Sequence, residues 1–299
     1  METAKKTLET NEEEGSKQSP PLLRVNWTPS FPDCFFHVPW RGNTSVPCCL
    51  AEHDLYPIAK RRMLVDARES IRAARLMIDE LHDERIFDHI AAYLRFGRKT
   101  KVLAPIKLPS VNTNALGMVY ADSVAKTLGF EVENNVFQTT SEKRDRSVDV
   151  MSRLTQPPIF GGEIEVGTDY ILVDDVFTTG GTLACLRGYV HRHGGNVIVC
   201  STLAAGTRVT REATKYDRRQ MGVALAPTNA TLHMLRKNMG DEYHAVDSVF
   251  CEGLRYGLHQ LTEQEARFVS NQARTIRGYN GSVSEWFSRN IIEARSSGV

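Results

Sequence analysis

Apolar residues recur along this chain at two spacings, and the alternation between them sketches the architecture. Tyr170-Ile171-Leu172-Val173 is a continuous apolar run of the kind an interior parallel strand needs, because helices cover both faces of such a strand. Asn196 to Leu203 is a second run, rich in Val and Ile, and Thr100 to Pro105 is a shorter one. A further strand is expected from Glu131 to Thr139. Between these runs the period changes: Leu116, Val119, Tyr120, Val124 and Leu128 follow a 3.6-residue repeat that stops at Gly129. Leu183 to His193 reads as another helix, closed by Gly194-Gly195. Strands alternating with helices predict an α/β fold with a Rossmann-like parallel sheet.

The flanks follow other patterns. Residues 1–24 lack the apolar content to fold and read as a disordered tail. Residues 25–98 read as an N-terminal extension. Its first part, Trp27 to Leu55, is loop-like, with Phe31, Phe35, Phe36 and Trp40 packing on the body. Asp66-Ala67-Arg68-Glu69 then resembles a capping box opening a helix that carries Ile71, Ala74, Met77, Ile78 and Leu81. A second helical stretch, with Ile86, Phe87, Ile90 and Leu94, is expected to stop at Gly97. Residues 99–206 form the predicted core and 207–299 a helical lobe. In that lobe helices are expected at Thr231 to Met239, at Leu261 to about Arg274 behind the capping box Thr262-Glu263-Gln264-Glu265, and at Ser284 to Arg295. A fifth core strand is placed at Val246 to Cys251.

Composition narrows the function classes. The 299 residues carry 37 Lys+Arg against 36 Asp+Glu, so no global basic field argues for nucleic acid or an anionic membrane. No apolar stretch approaches the length of a membrane span, and Met1 to Pro21 lacks the apolar segment of a signal peptide. The six cysteines form no secreted disulfide framework, which fits a reducing cytoplasm. Cys34, His37, Cys48, Cys49 and His53 match no standard zinc spacing, and packing is the simpler reading. His191 and His193 fall at a helix end, where the partial negative charge favours them.

The chemistry gathers after the first run. Asp174 and Asp175 stand at the carboxyl end of the apolar strand, where ligands collect in open α/β sheets. Two carboxylates can accept hydrogen bonds from a vicinal diol. Val176 and Phe177 follow, and then Thr178, Thr179, Gly180, Gly181 and Thr182 offer hydroxyls and backbone N–H groups at the start of a helix, which is an anion cradle. A Walker B strand would need an upstream glycine-rich loop ending in Gly-Lys, and no Gly-Lys pair occurs.

This segment resembles the phosphoribosyl-pyrophosphate (PRPP) signature of type I phosphoribosyltransferases. The resemblance covers residues 100–206. It implies that Asp174 and Asp175 hold the ribose hydroxyls while residues 176–182 wrap the 5′-phosphate. It also implies a pyrophosphate-binding loop after the first core strand, here Ile106-Lys107-Leu108-Pro109-Ser110, with Lys107 as its cation and a cis Leu108–Pro109 bond as one geometric solution. Thr139 to Gly167 is long and structure-poor, and it is similar to the family's catalytic lid, with Lys143, Arg144, Arg146 and Arg153 closing over the diphosphate. Mg²⁺, bound mainly through PRPP, is the implied cofactor. The expected activity is transfer of 5-phosphoribosyl from PRPP to a nucleobase or related nitrogenous acceptor, releasing pyrophosphate, with homodimers common in the family. A PRPP synthetase would need an ATP-binding loop that is not found. A PRPP-sensing regulator or competence-linked protein would keep the fold without turnover. The acceptor base is not legible.

Overall fold

The computed structural model describes residues 22–40, 67–107, 114–139, 150–206 and 221–296. Its centre is a six-stranded sheet of β1 (Cys34–Trp40), β2 (Thr100–Leu103), β4 (Glu131–Val132), β7 (Asp169–Phe177), β8 (Asn196–Gly206) and β9 (Gly222–Val223). The order is β4-β2-β7-β8-β1-β9, and every pairing is parallel except β1 with β9. A small second sheet joins β3 (Ile106–Lys107), β5 (Val136–Gln138) and β6 (Phe160–Gly162) in the order β3-β5-β6. The α/β class with a mostly parallel sheet is as the sequence pattern predicts.

Two apolar layers sandwich the large sheet. On one face lie α1 (Ile71–Leu81), α2 (Glu84–Ala91) and α3 (Ala115–Leu128), sharing a core with Ile171 and Val173 of β7. On the other, α5 (Gly181–Arg192) packs Leu183, Leu186 and Val190 against Tyr170 and Leu172. The third layer is a helical lobe of α6 (Asn229–Met239), α7 (Tyr243–Leu254), α8 (Glu263–Gly278) and α9 (Val283–Ser296), whose core also takes in Leu23 and Leu154. Leu154 belongs to the short α4 (Val150–Thr155).

Several elements differ from the sequence expectation, each for a local reason. The expected loop after Trp27 contains β1, seated between β8 and β9. Cys34 and Phe36 join one core cluster and Phe35 and Val38 the other, as a strand covered on both faces requires. Pro39 obscured this run. It lies in register with Ala205 of β8, beyond the reach of β9, which pairs only with Cys34 and Phe35. The fifth core strand expected at Val246 to Cys251 does not form, and β1 pairs with β8 instead. Those residues lie in α7, where Val246, Phe250 and Leu254 form a helical stripe. Helix α1 begins at Ile71, not in the box at residues 66–69: Ser70 caps it by accepting from the Ala73 amide. Asp83 caps α2, which ends at Ala91, short of Leu94 and Gly97. The expected strand from Glu131 to Thr139 is split between the two sheets as β4 and β5. Thr139 to Gly167 contains α4 and β6, so its described part is not structure-poor.

Helix α8 follows its expected capping box: the Thr262 hydroxyl accepts from the Glu265 amide while the Glu265 carboxylate accepts from the Thr262 amide. An N-terminal strap, residues 22–33, ties this lobe to the sheet. The Leu23 amide donates to the Arg255 carbonyl, and Trp27 Nε1 donates to the Leu261 carbonyl, both at 2.7 Å. Arg24 is buried against Glu265 at 2.5 Å and stacks over the Tyr256 ring.

Candidate functional site

Strand β7 carries the acidic pair to the edge of the core and sends its two members in opposite directions. Successive side chains on a strand alternate faces. Tyr170 and Leu172 point to the α5 layer and Ile171 and Val173 to the α1–α3 layer, and the same alternation separates Asp174 from Asp175.

Asp174 lines a hollow bounded by residues 176–183 together with Arg153 and Pro158. Every residue of the expected phosphate loop is therefore at this hollow. Phe177 is buried in the core and fixes the loop's base, whereas Thr178 is exposed and accepts from Arg153 Nη1 at 2.9 Å. Gly180 has φ 78°, in the left-handed region, and a Cβ there would lie 2.6 Å from Leu225 Cδ1, so a residue with a side chain would be both strained and obstructed. As the N-cap of α5, Gly180 makes no side-chain bond to the helix. The positive end of the α5 dipole lies next to the threonine hydroxyls, and the Gly181 amide donates to Thr179 Oγ1 at 3.5 Å.

Asp175 faces away from the hollow into a polar cluster. Its Oδ2 accepts from Arg68 Nη2 at 2.7 Å, Arg68 Nε at 3.1 Å and Asn114 Nδ2 at 2.9 Å, and its Oδ1 accepts from the Val176 amide. Burial pushes its proton affinity up, but the Arg68 guanidinium and Asn114 outweigh burial and hold the carboxyl below its usual range. Asp174 is the opposite case. Burial, and then the adjacent Asp175 charge, raise it well above the usual carboxylate range, against the one stabilising bond it accepts from the Asp175 amide at 2.8 Å. Asp174 is the undercompensated carboxylate at the hollow, suited to meeting donors or a cation.

The remaining predicted groups are placed unevenly. Lys107 ends β3, paired in parallel with Gln138 of β5, so its backbone belongs to a strand and not to the expected loop. Arg144, Arg146 and Lys143 lie outside the described residues, as do Leu108 and Pro109, together with Cys48, Cys49 and His53. Cys34 is a buried free thiol, and His37 is buried between the Asp83 amide and the Tyr120 hydroxyl. Among the described residues no group of three or more His, Cys, Asp or Glu side chains could hold a metal.

Sequence reasoning missed Arg68, Asn114 and Thr262. Arg68 falls within the expected capping box of residues 66–69, and Asn114 carries no motif. Thr262 was legible as a cap, but its second partner, the Thr179 carbonyl 83 positions away, was not.

No protein-family model matches the chain. Protein TraN of Escherichia coli is 30% identical over 168 residues, which are 56% of this chain and 34% of that protein. An uncharacterized protein of Haemophilus influenzae is 28% identical over 178 residues, 58% of this chain and 36% of that protein. The chain thus spans about a third of the length of these curated relatives. Among solved structures, adenine phosphoribosyltransferase from Rhodothermus marinus superposes with a TM-score of 0.29 at 18% identity, covering 44% of this chain and 72% of that one. The Leishmania donovani adenine phosphoribosyltransferase gives 0.32 at 13% identity, covering 61% and 70%.

Proposed function

We propose that this chain is a phosphoribosyltransferase that moves 5-phosphoribosyl from PRPP to a nitrogenous acceptor. The observation that carries this reading is the hollow itself: Asp174, the Thr178–Thr182 loop and the N-terminus of α5 converge at the carboxyl end of a parallel strand. In the reaction a nitrogen lone pair forms a bond to C1′ as the C1′–O bond breaks, and pyrophosphate leaves with that electron pair. The residues then have separable tasks. Asp174 accepts the ribose hydroxyls. The loop amides and the hydroxyls of Thr178, Thr179 and Thr182 hold the 5′-phosphate, and Arg153 adds a cation at its rim. Lys107, Arg144 and Arg146 are assigned to the leaving diphosphate, and Asp175 orients Arg68 and Asn114 beside it.

A hard divalent cation fits the donor set. Asp174 is a single undercompensated carboxylate, so a Mg²⁺ held there would draw its other oxygens from diphosphate, sugar and water. Bound in that way, it would neutralise charge on the departing pyrophosphate.

A second reading, a PRPP-responsive regulator without turnover, is favoured by one observation. Arg68 already neutralises Asp175, leaving one of the two signature carboxylates for the ligand. The deciding measurement is pyrophosphate release from PRPP with Mg²⁺ and a panel of nucleobases and amines. Acceptor-dependent release supports the transferase. Tight PRPP binding with no release from any acceptor supports the regulator, and no PRPP binding removes both.

A further inference from the structure

The phosphate loop is held from outside its own strand and helix. The Thr262 hydroxyl, fully buried at the head of α8, donates to the Thr179 carbonyl at 2.5 Å. Thr262 is in turn locked into the α8 cap with Glu265, and Glu265 is fixed by two bonds from Arg24. Leu225 fills the space behind Gly180, and Glu265 Oε1 would come within 2.5 Å of any Cβ on Gly181. The lobe therefore abuts the loop at Thr179 and Gly181.

A peptide unit is planar and its carbonyl and amide point in opposite directions. Pinning the Thr179 carbonyl toward the lobe thus turns the Gly180 N–H away from Thr262, and Gly180 itself lines the hollow. We infer that Thr262 is a positioning residue: by holding the 179–180 peptide in this orientation it presents the Gly180 amide to the phosphate monoester of the ligand. The inference deepens the phosphoribosyltransferase reading and rests on it for the identity of the ligand. It gives the lobe a direct part in ligand binding, because without the hydroxyl the peptide is free to turn its carbonyl oxygen toward an anion.

The test separates the monoester from the diphosphate. Titration calorimetry of the full chain would use ribose 5-phosphate, which lacks the diphosphate, and Mg²⁺-pyrophosphate, which lacks the monoester, alongside PRPP. Thr262→Val is expected to weaken ribose 5-phosphate and PRPP about tenfold, the scale of one well-placed hydrogen bond, and to leave pyrophosphate unchanged. Thr262→Ser, which keeps the hydroxyl, should restore binding. Thr228→Val removes the cap of α6 in the same lobe and serves as a control for general loosening, with wild-type affinities expected. Equal binding of ribose 5-phosphate by wild type and Thr262→Val overturns the inference, and so does a parallel loss of pyrophosphate. A wild type that binds ribose 5-phosphate in a Thr262-dependent way but not PRPP sinks the transferase reading alone. One that binds no phosphate monoester sinks both.

Discussion

Side chains leave a strand alternately, and at the end of β7 this separates two carboxylates that the sequence presents as a pair. Asp174 meets the hollow, while Asp175 meets Arg68 and Asn114. Their substitutions should therefore have different consequences. Asp174→Asn removes a charged acceptor from the ligand side and is expected to lower PRPP affinity roughly ten- to a hundredfold, since a charge-assisted hydrogen bond is worth about 1.5–3 kcal/mol. Asp175→Asn leaves Arg68 without its counter-charge, so its main expected effect is a lower thermal midpoint, with a smaller change in affinity. Calorimetry and thermal melting of the two variants check this, and identical profiles would contradict the division of roles. The sequence identified both aspartates and the whole loop because a strand, two acids and a Thr/Gly turn are contiguous. It could not show which face each acid takes, because that depends on the register of β7 between β2 and β8.

Elements with a single clean period were legible in advance: α3 with its stop at Gly129, α5, and α8 behind its capping box. Those with mixed signals were not. Strand β1 was hidden by prolines, and α7 looked strand-like because Val246, Val249 and Phe250 favour either state in isolation. The contacts that settle β1 are tertiary, and His37 is central to them. Its Nδ1 accepts from the Asp83 amide at the start of α2, so Nε2 carries the proton and donates to the Tyr120 hydroxyl of α3 at 2.9 Å. Tyr120 passes the chain on to Ser201 of β8, which donates to the Phe35 carbonyl. Protonating Nδ1 would break this chain at its first link. Burial, against the attraction of Asp83, lowers His37 from 6.5 to about 4. Between those values the unfolded chain binds a proton that the folded chain refuses, so stability falls as pH drops through that window. The expected loss approaches about 1.4 kcal/mol per pH unit. Urea midpoints between pH 7 and pH 5 should show this slope, and His37→Gln should flatten it; an unchanged slope in that variant would assign the effect elsewhere.

The three layers are joined by a strap that composition alone would call a loop. Arg24 sits on that strap, its guanidinium 3.9 Å from the Tyr256 ring centroid and paired to Glu265, each side chain only 1% exposed. Removing one partner of a buried pair leaves the other charge without compensation, at a cost of about 3–5 kcal/mol. Arg24→Met is therefore expected to lower the thermal midpoint sharply, and Arg24→Met with Glu265→Leu should recover most of the loss. A single variant with an unchanged midpoint would mean that the strap contributes little. No sequence pattern pointed to this pair, because its members are 241 positions apart.

Strand β1 also dictates an order of events during synthesis. It is made before any other strand of the large sheet, yet both its neighbours, β8 and β9, come after all the rest of that sheet. Phe35 and Ser201, which meet across the β1–β8 border, are 166 positions apart. A nascent chain thus carries an apolar, unpaired segment until β8 has been made, and closure of the sheet waits for a long loop whose ends must find each other. Refolding from denaturant should accordingly be slow in its last phase, and chains halted before β8 should aggregate through Phe35 and Phe36. The placement that completes the sheet thus leaves Phe35 and Phe36 uncovered by their neighbouring strand until residues 196–206 have been made.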